Sequence, residues 1–348
     1  MADSELILVE PQVGGLAYPE ELIDVTKAYL LEARAKSTRE AYARQWASFA
    51  AWCDSQGRSA LPASPETIVA WLAAMASGIG FRKPRARATI NQALSAVLQE
   101  HRRAQLPLDR KHPYISEAWR GISRVKAKTD SIRKAKPVLG ADLAAMLDGM
   151  GSRPIDMRDK ALLAVGWAAA LRRSELVGLD WMVKGEGQGH VVIDAAAVTI
   201  TMATSKASQD EAETIVIPVA SMKSASDALL SWISQAEIKP GEPIFRPVDQ
   251  HQHIGSTRLT DRSVSNIIKA RVLRYARKNG NTKAAAKSMA AGFSGHSLRA
   301  GFVTTAARSK VAGYHIRQHS RHKSVQTVEG YIREADKLTD SVLKTIGF

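Results

Sequence analysis

The sequence predicts a multidomain protein, in which an all-α N-terminal domain precedes a mixed α/β, mainly helical, C-terminal domain. Two observations lead to this fold class. The chain has 348 residues, which is more than one typical domain requires and enough for two. The hydrophobic pattern also changes near Leu139, from an almost unbroken helical period to one that includes alternating, strand-like segments.

The N-terminal domain is expected to be a compact helical bundle over residues 19–125. Residues 1–18 show no helical period, so we expect a mobile leader there. Within the domain, Tyr42, Trp46 and Phe49 recur at the spacing of one helix face. An apolar stripe of this kind faces a core, and several such stripes along the domain indicate a bundle.

A basic stretch separates the two domains, and we place a linker at residues 126–138. Between Arg120 and Lys136 the only acidic residue is Asp130, and Pro137 closes the stretch. A charge run of this kind is as consistent with a solvated surface as with a segment that follows the phosphates of a nucleic acid.

The C-terminal domain, residues 139–348, mixes helical and strand patterns. Segments 191–193, 198–202 and 215–217 predict strands, and the polar segment 203–214 predicts a hairpin loop between the last two. Helices are predicted near residues 140–150, 157–176, 222–236, 261–278, 296–309, 312–319 and 325–335.

The composition limits the possible function classes. Lys and Arg total 49 against 34 Asp and Glu, which gives a net charge of +15. This excess of positive charge favours a polyanionic partner, although an RNA-binding protein or a membrane-surface protein would show the same excess. The longest apolar run, Ala161–Leu171, is too short to span a bilayer, and the N-terminus lacks the positive start of a signal peptide. The single cysteine, Cys53, excludes an intramolecular disulfide framework and suits the reducing cytoplasm.

Short motifs in the second half of the chain carry side chains suited to phosphate chemistry. Arg172 and Glu175 are three residues apart and would share a helix face, where the guanidinium could clamp a phosphate and the carboxylate could hold the guanidinium. His296 and Arg299 have the same spacing and would add a second clamp and a group for proton transfer. Taken singly, each pair is better explained by the surface of a helix: Arg172 and Glu175 by a surface salt bridge, and His296 and Arg299 by a shared exposed face.

The order of these groups is more specific than any one of them. His322 and Tyr331 follow, nine residues apart, and complete the order Arg, His-x-x-Arg, His, Tyr. With this order the chain strongly resembles the tyrosine recombinase family, which includes phage integrases and Cre-like recombinases. The resemblance rests on the strings at residues 170–176, 295–299 and 321–331.

The resemblance covers roughly residues 20–348 and implies both a fold and an active site. The family joins a helical core-binding domain to a mixed α/β catalytic domain, in agreement with the two domains predicted here. The residues implied as catalytic are Arg172, Lys206, His296, Arg299, His322 and Tyr331, with Glu175 in support of Arg172. The assignment of Lys206 depends on the predicted hairpin loop. Arg173 is the adjacent alternative to Arg172, but it points about 100° away around the helix.

The implied reaction is the cutting and rejoining of double-stranded DNA at a specific recombination site. Tyr331 would form a 3′-phosphotyrosine, the arginines would neutralise the phosphate, and Lys206 would protonate the 5′-hydroxyl leaving group. The sequence contains no evident Asp/Glu metal cluster and no Gly-x-x-x-x-Gly-Lys phosphate loop, so we expect neither metal nor ATP. Since four protomers of such recombinases assemble around two DNA duplexes, we expect a homo-tetramer on DNA, located with the nucleoid in the cytoplasm.

Two positions depart from the family pattern. Ala170 and Arg321 stand where the family usually has glycine, before its first arginine motif and before its second histidine. Neither substitution replaces a catalytic group. Arg321 would either alter the local backbone or add a phosphate contact, and the sequence leaves both possibilities open.

Further basic residues are expected to contact DNA phosphates outside the active site. In the first domain and the linker these are Arg82, Lys83, Arg85, Arg87, Arg124, Lys126 and Lys128. In the second domain they are Arg262, Lys269, Arg271, Arg274 and Arg277, along one helical stretch.

Two other functions are compatible with parts of this pattern. A type IB topoisomerase would use the same chemistry on any supercoiled DNA, and a non-catalytic DNA-binding protein could retain the same fold. The helical first domain and the segment after Tyr331 favour a recombinase over a topoisomerase. The intact set of arginines, histidines and tyrosine argues against a protein that only binds.

Overall fold

The computed structural model describes residues 18–33, 36–106, 108–130, 135–202 and 213–339. The chain divides into two compact units, Met1–Ile132 and Arg133–Phe348. The leader expected at residues 1–18 lies, apart from Tyr18, outside the described residues.

The described part of the first unit is helical. Its helices are α1 (Glu20–Glu32), α2 (Lys36–Ser55), α3 (Pro65–Ser77), α4 (Arg87–Arg103) and α5 (Pro113–Thr129). The apolar stripe predicted in α2 faces the core, where the Phe49 ring lies 4.8 Å from that of Trp71, both side chains being fully buried. Ile90, Leu94 and Ile115 complete this core from α4 and α5.

The end of α5 differs from the sequence analysis. Residues 126–129, placed in the linker, form the last turn of this helix. Lys126 is 7% exposed and its Nζ lies 3.3 Å from the Asp130 carboxylate. Asp130 in turn accepts a hydrogen bond from the backbone N–H of Arg87 at 2.8 Å. Lys126 is therefore buried and paired with a carboxylate, rather than presented to solvent as a phosphate contact would require.

The second unit combines helices with one small sheet, as predicted. None of the described helices of the chain is long and apolar enough to cross a membrane. The helices are α6 (Gly140–Asp148), α7 (Pro154–Ala168), α8 (Arg173–Val177), α9 (Val219–Gln235), α10 (Asp261–Lys278), α11 (Lys283–Ala291), α12 (Ser297–Arg308), α13 (Gly313–Ser320) and α14 (Val325–Thr339). The strands are β1 (Leu179–Trp181), β2 (Gly189–Ile193), β3 (Ala197–Met202) and β4 (Glu213–Pro218).

The sheet follows the strand order β1-β2-β3-β4, with β1 parallel to β2 and the other pairs antiparallel. The three predicted strands correspond to β2, β3 and β4, whereas β1 was not predicted. In the β3–β4 hairpin Met202 pairs with Glu213, so β4 begins within the segment assigned to the loop. Residues 203–212, which include Lys206, lie outside the described residues.

α7 is the central helix of the second unit. Ala161, Leu162, Leu163 and Val165 are fully buried, because the second half of the helix, residues 161–168, has no polar side chain on any face except the indole N–H of Trp167 and is packed on more than one face. The helix predicted over residues 157–176 is interrupted after Ala168 and resumes as α8. This break places the following residues in the candidate active site.

A buried network of ion pairs joins α7 to α10. Arg271 donates from Nε to Asp159 Oδ2 and from Nη1 to Asp156 Oδ1, both at 2.6 Å, and from Nη2 to the Ile155 carbonyl oxygen at 3.0 Å. Arg158 donates to the other oxygen of Asp159 at 2.8 Å. The sequence predicts a phosphate contact for Arg271, but its guanidinium is buried and engaged with these acceptors, so its role is to join two helices.

Replacing Arg271 with leucine is expected to lower the free energy of unfolding by about 2–3 kcal/mol, because charge-assisted hydrogen bonds contribute roughly 1.5–3 kcal/mol. The loss is limited because Asp156 and Asp159 each keep another arginine as a partner. Urea-induced unfolding followed by circular dichroism measures the change. Arg274→Leu is the matched control, since the Arg274 side chain is 56% exposed and lies 3.6 Å from Asp156. Equal effects of the two substitutions would contradict the structural role of Arg271.

Candidate active site

The segment after α7 contains Arg172, the first arginine of the site. The N–H of Ala170 donates to the Trp167 carbonyl oxygen and that of Leu171 to the Gly166 carbonyl oxygen, at 3.0 and 3.1 Å. This pair of bonds is a Schellman motif, which requires a left-handed residue after the helix. Ala170 supplies it with φ of 47°. Glycine favours this conformation, which gives a physical reason for the family preference at this position.

Arg172 is the N-cap of α8, and Glu175 holds it from two sides. The backbone N–H of Arg172 donates to Glu175 Oε2 at 2.8 Å, and its Nη1 donates to Glu175 Oε1. The sequence predicts a shared helix face for this pair, whereas Arg172 has extended backbone angles and contacts Glu175 through the helix cap. The Arg172 side chain is 44% exposed, so this fixed guanidinium remains accessible. Arg173 pairs instead with Asp261 at 3.0 Å.

α12 contributes the second arginine and a histidine. His296 is the N-cap residue of α12, and Arg299 lies in its first turn. The Arg299 side chain is 1% exposed and donates from Nη1 to the Ala170 carbonyl oxygen at 2.8 Å. This bond ties α12 to the segment that carries Arg172. Burial, followed by the charge of Arg172, lowers the pKa of Arg299 to about 10, so its guanidinium remains charged at neutral pH.

The second histidine, His322, follows α13, and the tyrosine, Tyr331, lies in α14. His322 Nε2 is 3.4 Å from Arg299 Nε, and the rings of His322 and Tyr331 are 6.4 Å apart. The Tyr331 hydroxyl is 3.4 Å from His296 Nε2. α14 is held in place by Val328, which is buried against α12 and α13. The structure therefore brings together the two arginines, the two histidines and the tyrosine from four separate parts of the chain.

Ser320 fixes the tautomer of the neutral His322 ring. The Ser320 hydroxyl donates to the Ile316 carbonyl oxygen at 2.5 Å, so its oxygen accepts from His322 Nδ1 at 2.7 Å. His322 Nε2 is then left as an acceptor facing Arg299 Nε. Ser320 is not among the residues predicted from the sequence, because a buried serine two residues before a histidine carries no signal without the fold.

The charges of the site suit a phosphate. Burial, then Arg299 and His296, lower the pKa of His322 to about 4. Desolvation and the charges of Arg299 and Arg172 lower the pKa of His296. Both imidazoles are therefore neutral at pH 7, while the arginines are charged, which leaves the site with a net positive charge.

His322 is expected to titrate near pH 4 in the free protein and at higher pH when DNA is bound. Burial and the nearby cations disfavour its protonated form, whereas a phosphate anion between the arginines would offset their repulsion. Histidine proton NMR across a pH series measures both midpoints, with His322→Gln to assign the signal. A midpoint near the ordinary value of about 6.5 in the free protein would contradict this account.

Of the other predicted residues, Lys206 lies outside the described residues. The predicted contacts of the first domain that are exposed are Arg82, Lys83, Arg87, Arg124 and Lys128. Arg85 is partly buried, with its guanidinium 5.5 Å from the centre of the Phe81 ring. Among the residues that the structure describes, no three His, Cys, Asp or Glu side chains are grouped so as to hold a metal ion.

The chain is similar to known proteins over most of its length. The sequence model of the phage integrase family matches residues 138–337. The integrase/recombinase XerD homolog of Selenomonas ruminantium is 33% identical over 330 residues, which cover 93% of this chain and 89% of that protein. Recombinase Cre of Escherichia phage P1 is 25% identical over 312 residues, or 86% of this chain and 84% of Cre.

A solved structure shows the same fold. The integrase of transposon Tn1549, determined in complex with transposon right-end DNA, superposes with a TM-score of 0.56 at 12% sequence identity. The alignment covers 92% of this chain and 98% of that one.

Proposed function

Because the chain belongs to the phage integrase family of tyrosine recombinases, we propose that it is a site-specific DNA recombinase that acts through a 3′-phosphotyrosine intermediate. The observation that carries this proposal is the assembly of one positively charged site around the Tyr331 hydroxyl. Its side chains are Arg172, His296, Arg299, His322 and Tyr331.

Tyr331 is the nucleophile. A phenol has an ordinary pKa of about 10, so attack at neutral pH requires a proton acceptor. His296 Nε2 lies 3.4 Å from the hydroxyl, and the lowered pKa of His296 keeps the imidazole neutral and able to accept that proton. The tyrosine oxygen then bonds to phosphorus as the bond from phosphorus to the 5′ oxygen breaks.

The arginines and His322 bind the non-bridging phosphate oxygens. Arg172 and Arg299 neutralise the charge that develops on these oxygens, and Glu175 and the Ala170 carbonyl hold the two guanidinium groups beforehand. His322 donates from Nε2 to the phosphate after the charge of the bound DNA has raised its pKa. Religation reverses the attack with a 5′-hydroxyl and therefore needs no ATP.

Lys206 is the general acid that protonates the 5′ oxygen as it leaves. Lys206→Ala is expected to slow cleavage of ordinary DNA by about 10²-fold, in the range typical of general acid catalysis. A substrate with a bridging 5′ sulfur should restore the rate, because a thiolate leaves without a proton. Single-turnover cleavage of both substrates measures this rescue, and equal defects on the two would exclude Lys206 as the acid.

The partner is double-stranded DNA that carries a specific recombination site. The exposed basic side chains of the first unit support phosphate contacts, and we assign that unit as the core-binding domain and the second as the catalytic domain. The active assembly is a homo-tetramer on two DNA sites, and the protein acts on nucleoid DNA in the cytoplasm. The Tn1549 integrase, solved as a DNA complex, supports DNA as the partner.

The test of this function uses DNA that flanks the gene, because that DNA is the first candidate for the target. Nicked duplexes from it trap a covalent adduct if the protein cleaves, and a two-site plasmid reports recombination. Native gels on half sites and full sites report the assembly. Relaxation of any supercoiled plasmid without recombination would favour a topoisomerase, and binding without an adduct would favour a non-catalytic DNA-binding protein.

A further inference from the structure

Arg321 occupies a backbone position that favours glycine. It follows α13 with φ of 54° and ψ of 44°, in the left-handed region. Its N–H donates to the Gln318 carbonyl oxygen and that of His322 donates to the Arg317 carbonyl oxygen, both at 3.3 Å. This Schellman motif uses only backbone groups, and glycine would make it without steric cost. The reason for an arginine must therefore lie in its side chain.

The Arg321 side chain is 8% exposed and is directed at Glu175. Its Nη2 donates to Glu175 Oε2 at 2.7 Å, while the other carboxylate oxygen accepts from Arg172 Nη1. The carbonyl oxygen of Arg321 also lies 3.5 Å from Arg172 Nη2. One buried carboxylate thus joins two arginines, of which Arg172 is accessible and Arg321 is buried.

The remaining donors of Arg321 are not satisfied. Its Nε and Nη1 are buried and have no hydrogen-bond partner among the described residues. Nε lies 3.9 Å from Glu213 Oε2 at the start of β4, which is beyond a normal hydrogen bond. Unpaired buried donors of a charged group cost free energy. Arg321 therefore has two unfavourable features, a left-handed backbone and two unsatisfied buried donors.

We propose that Arg321 is a positioning residue, whose guanidinium fixes the Glu175 carboxylate so that Glu175 can hold Arg172 in place for the DNA phosphate. The inference rests on the proposed role of Arg172 as a phosphate clamp. This role differs from both possibilities left by the sequence, since the Arg321 side chain contacts the carboxylate behind the clamp.

Electrostatics supports this arrangement. Burial alone would raise the pKa of Glu175, but the charge of Arg321, then the backbone N–H and charge of Arg172, outweigh burial and keep the pKa below its ordinary value. Arg299 is the further cation whose charge interacts with Glu175. Arg321 itself is faced by Glu175 and Glu213. Loss of Arg321 removes one of the two positive charges that keep the Glu175 carboxylate ionised.

The first test does not depend on catalysis. In Arg321→Gly, which suits the left-handed backbone and should fold, the titration of the Glu175 carboxyl carbon by ¹³C NMR is expected to move to higher pH. Arg321→Lys should restore most of the wild-type titration, and Glu175→Gln assigns the signal. An unchanged titration in Arg321→Gly would overturn the proposal.

The second test is a double-mutant cycle on single-turnover DNA cleavage at saturating protein. Arg321→Gly is expected to slow adduct formation about tenfold, within the range for residues of one ion-pair network, and to leave half-site affinity nearly unchanged. In the Glu175→Gln background the same change should have little further effect, because Arg321 acts through Glu175. Additive losses, or weaker binding with normal cleavage, would instead place Arg321 on the phosphate.

The two tests separate this inference from the proposed function. If the wild-type protein forms no adduct on any candidate DNA, the recombinase proposal fails, while the NMR titration still decides whether Arg321 controls Glu175. If the adduct forms but neither the titration nor the cycle shows coupling, the recombinase proposal stands and the role of Arg321 is wrong.

Discussion

Tyr331→Phe is expected to abolish covalent attachment to DNA and to leave DNA binding nearly intact. The substitution removes only the hydroxyl, so the ring should keep its place beside Val303, Ile316 and Val328 in the cluster formed by α12, α13 and α14. Without that oxygen no bond to phosphorus can form, and the arginines and histidines cannot supply a substitute nucleophile. Denaturing gels of the protein with a nicked target site measure the adduct, and gel shifts measure binding.

Tyr314→Phe is the matched control for the nucleophile. Tyr314 lies in α13, is 64% exposed and has its ring centre 3.9 Å from that of His315, so loss of its hydroxyl should change neither binding nor adduct formation. If the Tyr331→Phe protein still forms the adduct, another residue is the nucleophile. If it loses both adduct and binding, the substitution has disturbed the site and the result does not support the assignment.

The residues gathered in the candidate site were predictable because they occur in ordered motifs. Arg172, His296, Arg299, His322 and Tyr331 were all named from the sequence, and the structure places them together. The contacts behind them were not predictable. Glu175 and Arg321 are 146 positions apart, and no local pattern indicates that they form an ion pair.

Two buried basic residues show where the charge pattern was misleading. Lys126 lies on the apolar face of α5, eleven positions after the buried Ile115 and four after Ile122. Arg271 lies four positions after Ile267 and three after Ile268 on the buried face of α10. Their helical spacing could have indicated burial, but their partners, Asp130 and the α7 carboxylates, depend on the fold.

The element boundaries that differ also have local causes. The predicted helix over 157–176 is divided because Ala170 adopts a left-handed conformation, which alanine does not signal in the sequence. The strand β1, Leu179–Trp181, has only three residues, too few to show an alternating pattern. α11 is short and composed largely of alanine, lysine and methionine, so its apolar face was not recognised.

Arg172→Ala and Arg299→Ala are each expected to slow strand cleavage by about 10²–10³-fold, the usual effect of losing one preorganised donor to a transition-state anion. DNA binding should fall much less, because many phosphate contacts contribute to affinity whereas charge concentrates on the reacting phosphate chiefly in the transition state. Single-turnover cleavage at saturating protein isolates this step from binding. Circular dichroism must accompany Arg299→Ala, since the Arg299 side chain is buried and bonded to the Ala170 carbonyl oxygen.

Arg173→Ala is the control for the phosphate clamp, because it removes the same charge one position away. The Arg173 guanidinium pairs with Asp261 at 3.0 Å rather than with Glu175, so its loss should have a milder effect on cleavage. A cleavage defect confined to Arg172→Ala and Arg299→Ala would show that the cleavage rate depends on these two fixed guanidinium groups. Near-normal cleavage by both variants would exclude the two arginines from the mechanism. Equal defects in all three variants would instead indicate that the cleavage rate depends on the total positive charge near the DNA and not on the position of any one arginine.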